Sequence, residues 1–197
     1  MAVPLSADAA RNAMKTEGVK LQTVGSWKTH NRNSKGSWGP VHGVMLHHTV
    51  TTGTQNSLSI VKSGYRGLPG PLCHGMIDKD GTVYLVGWGR TNHAGLGDGS
   101  VLRAVIAEKE LPKAHFQSVD GNARFYGFEC VNLGNGSDPW PDAQVDAMVR
   151  ASAALCRKHG WRGRSVIGHK EWQTGKVDPR GINMDDIRRR VDKLLDQ

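Results

Sequence analysis

Three short stretches of sequence, LHHT, GHKEW and GKVDP, carry side chains that could bind a metal ion. The first holds His47 and the second holds His169, and each histidine directly follows an apolar run typical of a buried strand. The third holds Asp178, next to a proline that restricts the loop. Two imidazoles and one carboxylate suit a catalytic zinc site, which keeps a position open for water, better than a closed structural site. The alternative is that each histidine is an ordinary structural residue.

Glu129 adds a second kind of chemistry, because it lies within the otherwise apolar segment FYGFECV. Burying an unpaired carboxylate costs several kcal/mol, so we expect this residue to have either an ion-pair partner or a catalytic role. One interpretation is an ion pair with a core arginine or lysine. The other is a general base that faces an activated water. The residues alone leave the two interpretations open.

Short apolar runs bounded by turn residues predict the strands that position these side chains. The expected strands cover residues 41–48, 73–77, 82–86, 125–133 and 164–168. Asp80-Gly81 predicts a hairpin turn between the second and third of them. Residues 25–40 are rich in glycine, serine and asparagine and are expected to form a loop.

Helical spacing and capping residues predict the helices. They are a helix over residues 6–18, opened by Ser6, a short helix that includes residues 58–61, a helix over residues 141–159, and a last helix capped by Asn183. Arg188, Arg189 and Arg190 on that last helix are interpreted as a solvated face. Strands and helices alternate around one hairpin, which indicates an α/β fold with a mixed central sheet flanked by helices. We expect an N-terminal helical arm over residues 1–26 and a catalytic domain over residues 27–197.

Composition narrows the class of protein. The chain has 197 residues, 38% of them hydrophobic, and a formal net charge of +8. This is a globular composition whose basic surface favours an anionic partner. The odd count of three cysteines argues against a disulfide framework. The N-terminus has no signal-peptide pattern, and no apolar run approaches the roughly 20 residues that span a bilayer.

The order of the motifs resembles the type 2 N-acetylmuramoyl-L-alanine amidases, which share their fold with peptidoglycan recognition proteins. The segments 27–33 (WKTHNRN) and 39–43 (GPVHG) look like the amidase domain of actinobacteriophage endolysins. The resemblance runs from about residue 27 to about residue 192 and is specific, since separated motifs occur in the right order. It implies the amidase-like fold and a Zn²⁺ cofactor.

The resemblance assigns roles by position. The family's zinc ligands fall on His47, His169 and Asp178, and its catalytic acid–base residue falls on Glu129. The lysine two positions before the third ligand is Lys176, which implies stabilisation of the scissile carbonyl.

Further residues are expected to line the substrate groove, and two positions depart from the family pattern. The expected substrate-binding residues are His48, Thr49, His74 and His93. A tyrosine frequent in recognition-type members is replaced by Cys73, and the tryptophan of the family's WHAG stretch is replaced by Asn92. A catalytic tyrosine is therefore not expected at Cys73. An aromatic wall of the substrate groove is not expected at Asn92.

The resemblance implies hydrolysis, by zinc-activated water, of the amide between the lactyl group of N-acetylmuramic acid and L-alanine of the stem peptide. The alternatives are a non-catalytic peptidoglycan-binding module and a stem-peptide endopeptidase. Expected partners are bacterial peptidoglycan and anionic wall polymers, with neither nucleic acid nor membrane insertion, and the chain is expected to be a monomer. The resemblance also implies synthesis in a bacterial host cytoplasm and passage to the wall through a holin-type pore.

Overall fold

A six-stranded mixed sheet forms the centre of the protein, for which a computed structural model describes residues 2–197. The strands are β1 (Leu21–Thr23), β2 (Gly43–His48), β3 (Gly64–Tyr65), β4 (Leu68–Pro69), β5 (Gly75–Ile77), β6 (Val83–Leu85), β7 (Leu96–Gly97), β8 (Val119–Asp120), β9 (Phe125–Cys130) and β10 (Val166–Gly168). The central sheet has the order β1-β6-β5-β9-β2-β10, and β5–β6 is its antiparallel pair. The β3–β4 hairpin and the antiparallel pair β7–β8, whose strands are separated in sequence by α3, lie outside it. The predicted mixed sheet and its hairpin are confirmed.

Helices connect these strands. They are α1 (Ala7–Thr16), α2 (Thr54–Ser63), α3 (Gly99–Ile106), α4 (Asp142–His159), α5 (His169–Trp172) and α6 (Met184–Leu195). The side chain of Ser6 caps α1 and that of Asn183 caps α6, as predicted. Residues 58–61, expected to be part of a short helix, lie within α2, and α3 was not predicted.

The helices cover both faces of the sheet. Helices α1, α4 and α6 pack against one face in a single core cluster that includes Leu46 and Phe128. Helix α3 packs against the other face beside Met45 and Phe125, and α2 contributes Val61 to a smaller cluster with Met76. Burial on both faces explains why β2 and β9 are continuous apolar runs in the sequence.

Strands β2, β9 and β10 are parallel neighbours, so their carboxyl ends meet at one edge of the sheet. In this register Met45 is opposite Gly127, and His47 is opposite Glu129. Side chains alternate along a strand, so these paired positions share the sheet face covered by α3. His169 follows β10 directly. The edge at which parallel strands end is where open α/β sheets bind ligands.

The N-terminal segment packs into the same core as the central sheet. Residues of α1 belong to the core cluster of α4, and β1 pairs with β6 in the central sheet. The helical description therefore fits Ala7–Thr16 only, and a division at residue 26 stays a prediction. Among residues 2–197, no helix combines the length and the apolar character that crossing a bilayer requires.

One prediction for the last helix is wrong. Arg188 is only 8% exposed, and its guanidinium donates to both Glu171 and Asp185. It also donates to the Val166 carbonyl on β10. Arg188 is therefore a buried residue that links α6 to β10, the strand that leads to His169. It is not part of a solvated face.

Candidate active site

Three donor atoms converge at the sheet edge. His47 Nδ1 lies 3.1 Å from His169 Nδ1 and 3.0 Å from Asp178 Oδ2, and His169 Nδ1 lies 3.0 Å from the same oxygen. Ligands placed tetrahedrally around zinc at about 2.0–2.1 Å stand about 3.3–3.4 Å from one another. The near-equilateral triangle is therefore close to the size that one zinc ion needs, and the two nitrogens and one oxygen are donors that zinc accepts.

The loop that carries Asp178 is tied to the core by hydrogen bonds at this residue and at the residues that follow it. The backbone N–H of Lys170 donates to the Asp178 carbonyl at 2.8 Å, and the Lys170 ammonium donates to the carbonyls of Pro179 and Ile182. The backbone N–H of Arg180, two residues after Asp178, donates to His48 Nδ1 at 3.1 Å. These bonds fix the backbone of the loop that carries the carboxylate.

His169 is held by its own short helix. Glu171 accepts a hydrogen bond from the backbone N–H of Gly168 at 2.8 Å and binds the Arg188 guanidinium. The imidazole Nε2 of His169 lies 3.1 Å from Gln173 Oε1. Arg188 therefore supports the site through Glu171, a role that only the tertiary structure reveals.

The charges at the site follow from burial and hydrogen bonding. Burial lowers the pKa of His47 to about 4, so the imidazole is neutral at neutral pH, the form that binds metal. Burial alone would raise the pKa of Asp178, but its close contacts with the His169 and His47 imidazoles outweigh burial and hold that pKa well below its ordinary value. The site therefore presents a carboxylate and a neutral imidazole to a cation.

Glu129 faces this cluster without an ion-pair partner. Its Oε2 is buried and has no hydrogen-bond partner within residues 2–197. Burial raises the pKa of Glu129 well above its ordinary value, the charge of Asp178 raises it further, and Lys176 opposes this. The core ion pair left open by the sequence is not present in the described chain. A buried carboxyl group with a raised pKa and an unused oxygen is suited to holding a transferable proton.

A groove of ≈ 190 Å³ opens over the cluster. Of the residues expected from the sequence, it is lined by His47, His48, Thr49, His93, Glu129, His169, Lys176 and Asp178. Lys176 is exposed at its edge, where its charge can face a bound carbonyl oxygen. The structure thus brings together the expected ligand triad, the expected acid–base residue and the expected lysine.

His74 is not part of this groove, so its expected substrate contact is corrected. It is fully buried, Nε2 lies 2.9 Å from the Gly89 carbonyl, and Nδ1 accepts the backbone N–H of Gly127. Its ring stacks on Trp38 with ring centroids 5.3 Å apart. Both ring nitrogens are committed to the backbone, and His74 has a structural role.

The other histidines and Thr49 are anchored by the protein although they line the groove. His48 Nδ1 holds the Arg180 loop, and Thr49 Oγ1 accepts the backbone N–H of Asn132 at 3.3 Å. His93 Nδ1 lies 3.0 Å from His47 Nε2. Their roles in substrate binding stay predictions.

The groove also contains apolar residues that the sequence analysis missed. Tyr65 and Leu68 are paired on the β3–β4 hairpin, and both line the groove together with Asn92. Val50 lines it with an exposed side chain and a positive φ of 57°, a strained conformation for a β-branched residue. Gly67, which adopts a φ of 88°, was the turn signal that the sequence offered for this hairpin.

A second set of donors shares His47. Cys73 and His93 offer Sγ and a ring nitrogen close to His47, beneath the groove. Burial raises the pKa of the Cys73 thiol well above its ordinary value, and the nearby Glu129 charge adds to this. Zinc binds the thiolate, so this buried thiol is the poorer ligand, and the set with Asp178 fits the metal better.

A larger cavity of ≈ 510 Å³ lies beside α6, away from this cluster. Its lining includes Glu171, Asp185, Arg188 and Arg189, and Arg188 is paired with both acids. Because these charges neutralise one another and structure α6, the cavity does not compete with the groove as a catalytic site.

The fold and the site define an α/β protein with a candidate metal centre at the ends of parallel strands. The sequence model of the N-acetylmuramoyl-L-alanine amidase family matches residues 37–181. The chain belongs to this family. It is therefore a hydrolase that acts on an amide bond of peptidoglycan. No curated protein sequence gives a significant match to the chain.

Solved structures share the fold at low sequence identity. The chain is similar to the N-acetylmuramoyl-L-alanine amidase LysC from Clostridium intestinale URNW, with 20% identity, a TM-score of 0.57, and coverage of 87% of this chain and 97% of that one. It is similar to a mutant endolysin from Bacillus subtilis, with 19% identity, a TM-score of 0.55, and coverage of 88% and 99%. It is also similar to the Staphylococcus aureus hydrolase AmiA in complex with its ligand, with 13% identity, a TM-score of 0.57, and coverage of 97% and 91%.

Proposed function

We propose that the chain is a zinc-dependent N-acetylmuramoyl-L-alanine amidase that cuts between the lactyl group of N-acetylmuramic acid and L-alanine of the stem peptide. The observation that carries the proposal is the triangle of His47, His169 and Asp178 donor atoms beside the unpaired oxygen of Glu129. A zinc ion held there supplies Lewis acidity and lowers the pKa of a coordinated water from about 16 to about 7.

The protein's own residues divide the remaining chemistry. Glu129 takes a proton from the attacking water and returns it to the amide nitrogen as the C–N bond breaks, which yields a carboxylic acid and an amine. The acid then releases its remaining proton, which leaves a carboxylate and an ammonium group. The returned proton is essential because an amine anion is a very poor leaving group. Lys176, exposed at the groove edge, places its positive charge where the carbonyl oxygen becomes negative.

A role in cell lysis is the biological context that we propose. A formal net charge of +8 would attract the chain to a wall that carries phosphate and carboxylate polymers. Likeness to an amidase and an endolysin in fold supports an endolysin-type role. Delivery from a bacterial cytoplasm through a holin-type pore belongs to the same proposal.

Product analysis of digested walls tests the reaction. We expect mass spectrometry to find intact stem peptides with a free L-alanine amino group, separated from glycan that keeps its lactyl groups. A chelator should stop their release and added zinc should restore it. Glycan that retains the first residues of the stem would indicate an endopeptidase, and bound walls without any released amine would indicate a binding module.

The Tyr65 ring is expected to contact the substrate, since it is 61% exposed and lines the groove. Burying about 40 Å² of this ring against the substrate contributes about 1 kcal/mol, at roughly 25 cal/mol per Å². We therefore expect Tyr65→Ala to raise KM about 3- to 10-fold with little change in kcat, and Tyr65→Phe to resemble the wild type. Phe116→Ala is the matched control, because this ring is 70% exposed and does not line the groove. An unchanged KM in Tyr65→Ala would remove the ring from the substrate site.

A further inference from the structure

The His93 imidazole lies between strand β9 and the first proposed zinc ligand. Its Nδ1 is 3.0 Å from His47 Nε2, and its Nε2 is 3.2 Å from the Phe125 carbonyl oxygen. The residue is 7% exposed, so its hydrogen bonds are made with the protein rather than with solvent. These two contacts settle where the hydrogens of the histidine pair lie.

A carbonyl oxygen can only accept a hydrogen bond, so His93 Nε2 carries the hydrogen that points at Phe125. In the neutral ring His93 Nδ1 is then an acceptor, and His47 Nε2 must donate to it. This leaves the lone pair of His47 Nδ1 aimed at the point shared with His169 and Asp178. We infer that His93 is a positioning residue that fixes the tautomer of His47, with Nδ1 free to bind the metal.

The inference rests on the proposed function, because it concerns affinity for the proposed zinc ion. His93 also prevents the competing tautomer of His47. Without an acceptor at Nε2, His47 could place its hydrogen on Nδ1 and donate it to Asp178 Oδ2, which is 3.0 Å away. Hydrogen bonds to a carboxylate are strong, so this tautomer would close the site to a cation. Replacing a residue that hydrogen-bonds a zinc ligand typically weakens metal binding 10- to 100-fold.

The protein is built to hold His93 in this place. The side-chain oxygen of Asn122 accepts the backbone N–H groups of His93 and Ala94, each at 2.8 Å. The ring lies over Gly127, where an added Cβ would come within 2.5 Å of His93 Nδ1. Glycine at this position of β9 therefore leaves the space that the ring occupies, on the sheet face that carries His47 and Glu129.

His169 has the same tautomer as His47, but a different hydrogen-bond partner fixes it. Its Nε2 faces the Gln173 side-chain oxygen, while the Gln173 amide nitrogen donates to Gln117. Both histidines thus present Nδ1 to the shared point, and the His93 contact controls His47 alone. A change at His93 is therefore expected to affect one ligand and to leave the other in place.

Zinc affinity and the tautomer of His47 test the inference. Zinc dissociation constants of the full chain would be measured by chelator competition for the wild type, His93→Phe, His93→Asn and His74→Phe. Phenylalanine keeps a ring but offers no acceptor, whereas the asparagine oxygen replaces Nδ1. His74→Phe is the matched control, since it removes a buried imidazole that is hydrogen-bonded to the backbone and has no hydrogen bond with His47. Long-range ¹⁵N–¹H spectra of the metal-free chain would report the ring hydrogens directly.

We expect His93→Phe to weaken zinc binding 10- to 100-fold, His93→Asn to recover most of the loss, and His74→Phe to bind as the wild type. The metal-free wild type should show the hydrogen of His47 on Nε2. Equal affinity in the wild type and His93→Phe, or a hydrogen on Nδ1 of His47 in the wild type, would overturn the inference. If His93→Phe does not fold, the wild-type spectrum still shows which nitrogen of His47 carries the hydrogen, and the zinc affinity of His93→Asn still tests the need for an acceptor. Failure of the wild type to bind zinc would instead overturn the proposed function. The spectrum of the metal-free chain would still report the tautomer of His47.

Discussion

Glu129→Gln is expected to keep its zinc and to lose at least about 100-fold in kcat, the lower end of the range for general acid–base catalysis. Glutamine has nearly the same shape but cannot take a proton from water or return one to the leaving amine. The buried Oε2 of Glu129 has no hydrogen-bond partner within residues 2–197, so the substitution breaks no bond to that atom. Turnover of soluble muropeptides and metal content per chain are the two measurements.

The control for this variant is Glu110→Gln, at an exposed carboxyl group beside α6 and away from the groove. It should retain full activity, which shows that the loss does not follow from a change in net charge. Wild-type turnover by Glu129→Gln would exclude Glu129 as the proton carrier. Loss of zinc from this variant would show that Glu129 serves the metal instead.

Asp178→Ala is expected to lose zinc and activity together. The substitution removes one of three proposed ligands, and it leaves His47 and His169 without the carboxylate that both of them contact. Loss of a direct ligand should exceed the 10- to 100-fold change typical of outer partners, so we expect zinc affinity to fall by more than about 100-fold. Zinc that binds only the folded state raises the melting temperature, and this rise should disappear in the variant.

Asp146→Ala is a matched control, because it removes a half-exposed carboxylate on α4, which packs against the opposite face of the sheet. Its partners are partly exposed arginines, and such pairs contribute little to stability. The zinc-induced rise in melting temperature should be intact in this control. If Asp178→Ala also kept the rise while Cys73→Ser lost it, the metal would lie in the alternative donor set.

The sequence predicted the central strands well because burial on both faces produces continuous apolar runs, as in β2 and β9. Caps at Ser6 and Asn183 were also readable, since a side-chain oxygen before a helix has a local cause. Strand β1 was missed because Leu21-Gln22-Thr23 holds a single apolar residue, whereas the equally short β5, β6 and β10 lie in apolar runs. Helix α3 was missed although Asp98 caps it, a signal that was available in the sequence.

The site was predicted from motif order, and the structure adds what tertiary packing decides. Residue types do not indicate that His74 is enclosed while His93 contacts a proposed ligand, because both are histidines beside strands. Arg188 lies in a run of three arginines, and only the packing of α6 against β10 selects it for burial. Tyr65 is far in sequence from the proposed ligands, so its position in the groove depends on the β3–β4 hairpin.

X-ray absorption at the zinc edge of the zinc-loaded full chain tests the central claim most directly, because it counts and identifies the ligand atoms. We expect one zinc per chain with nitrogen and oxygen neighbours at about 2.0–2.2 Å, two of them imidazoles. No sulfur should be detected. A sulfur neighbour at about 2.3 Å would place the metal on Cys73, and it would contradict a site formed by His47, His169 and Asp178.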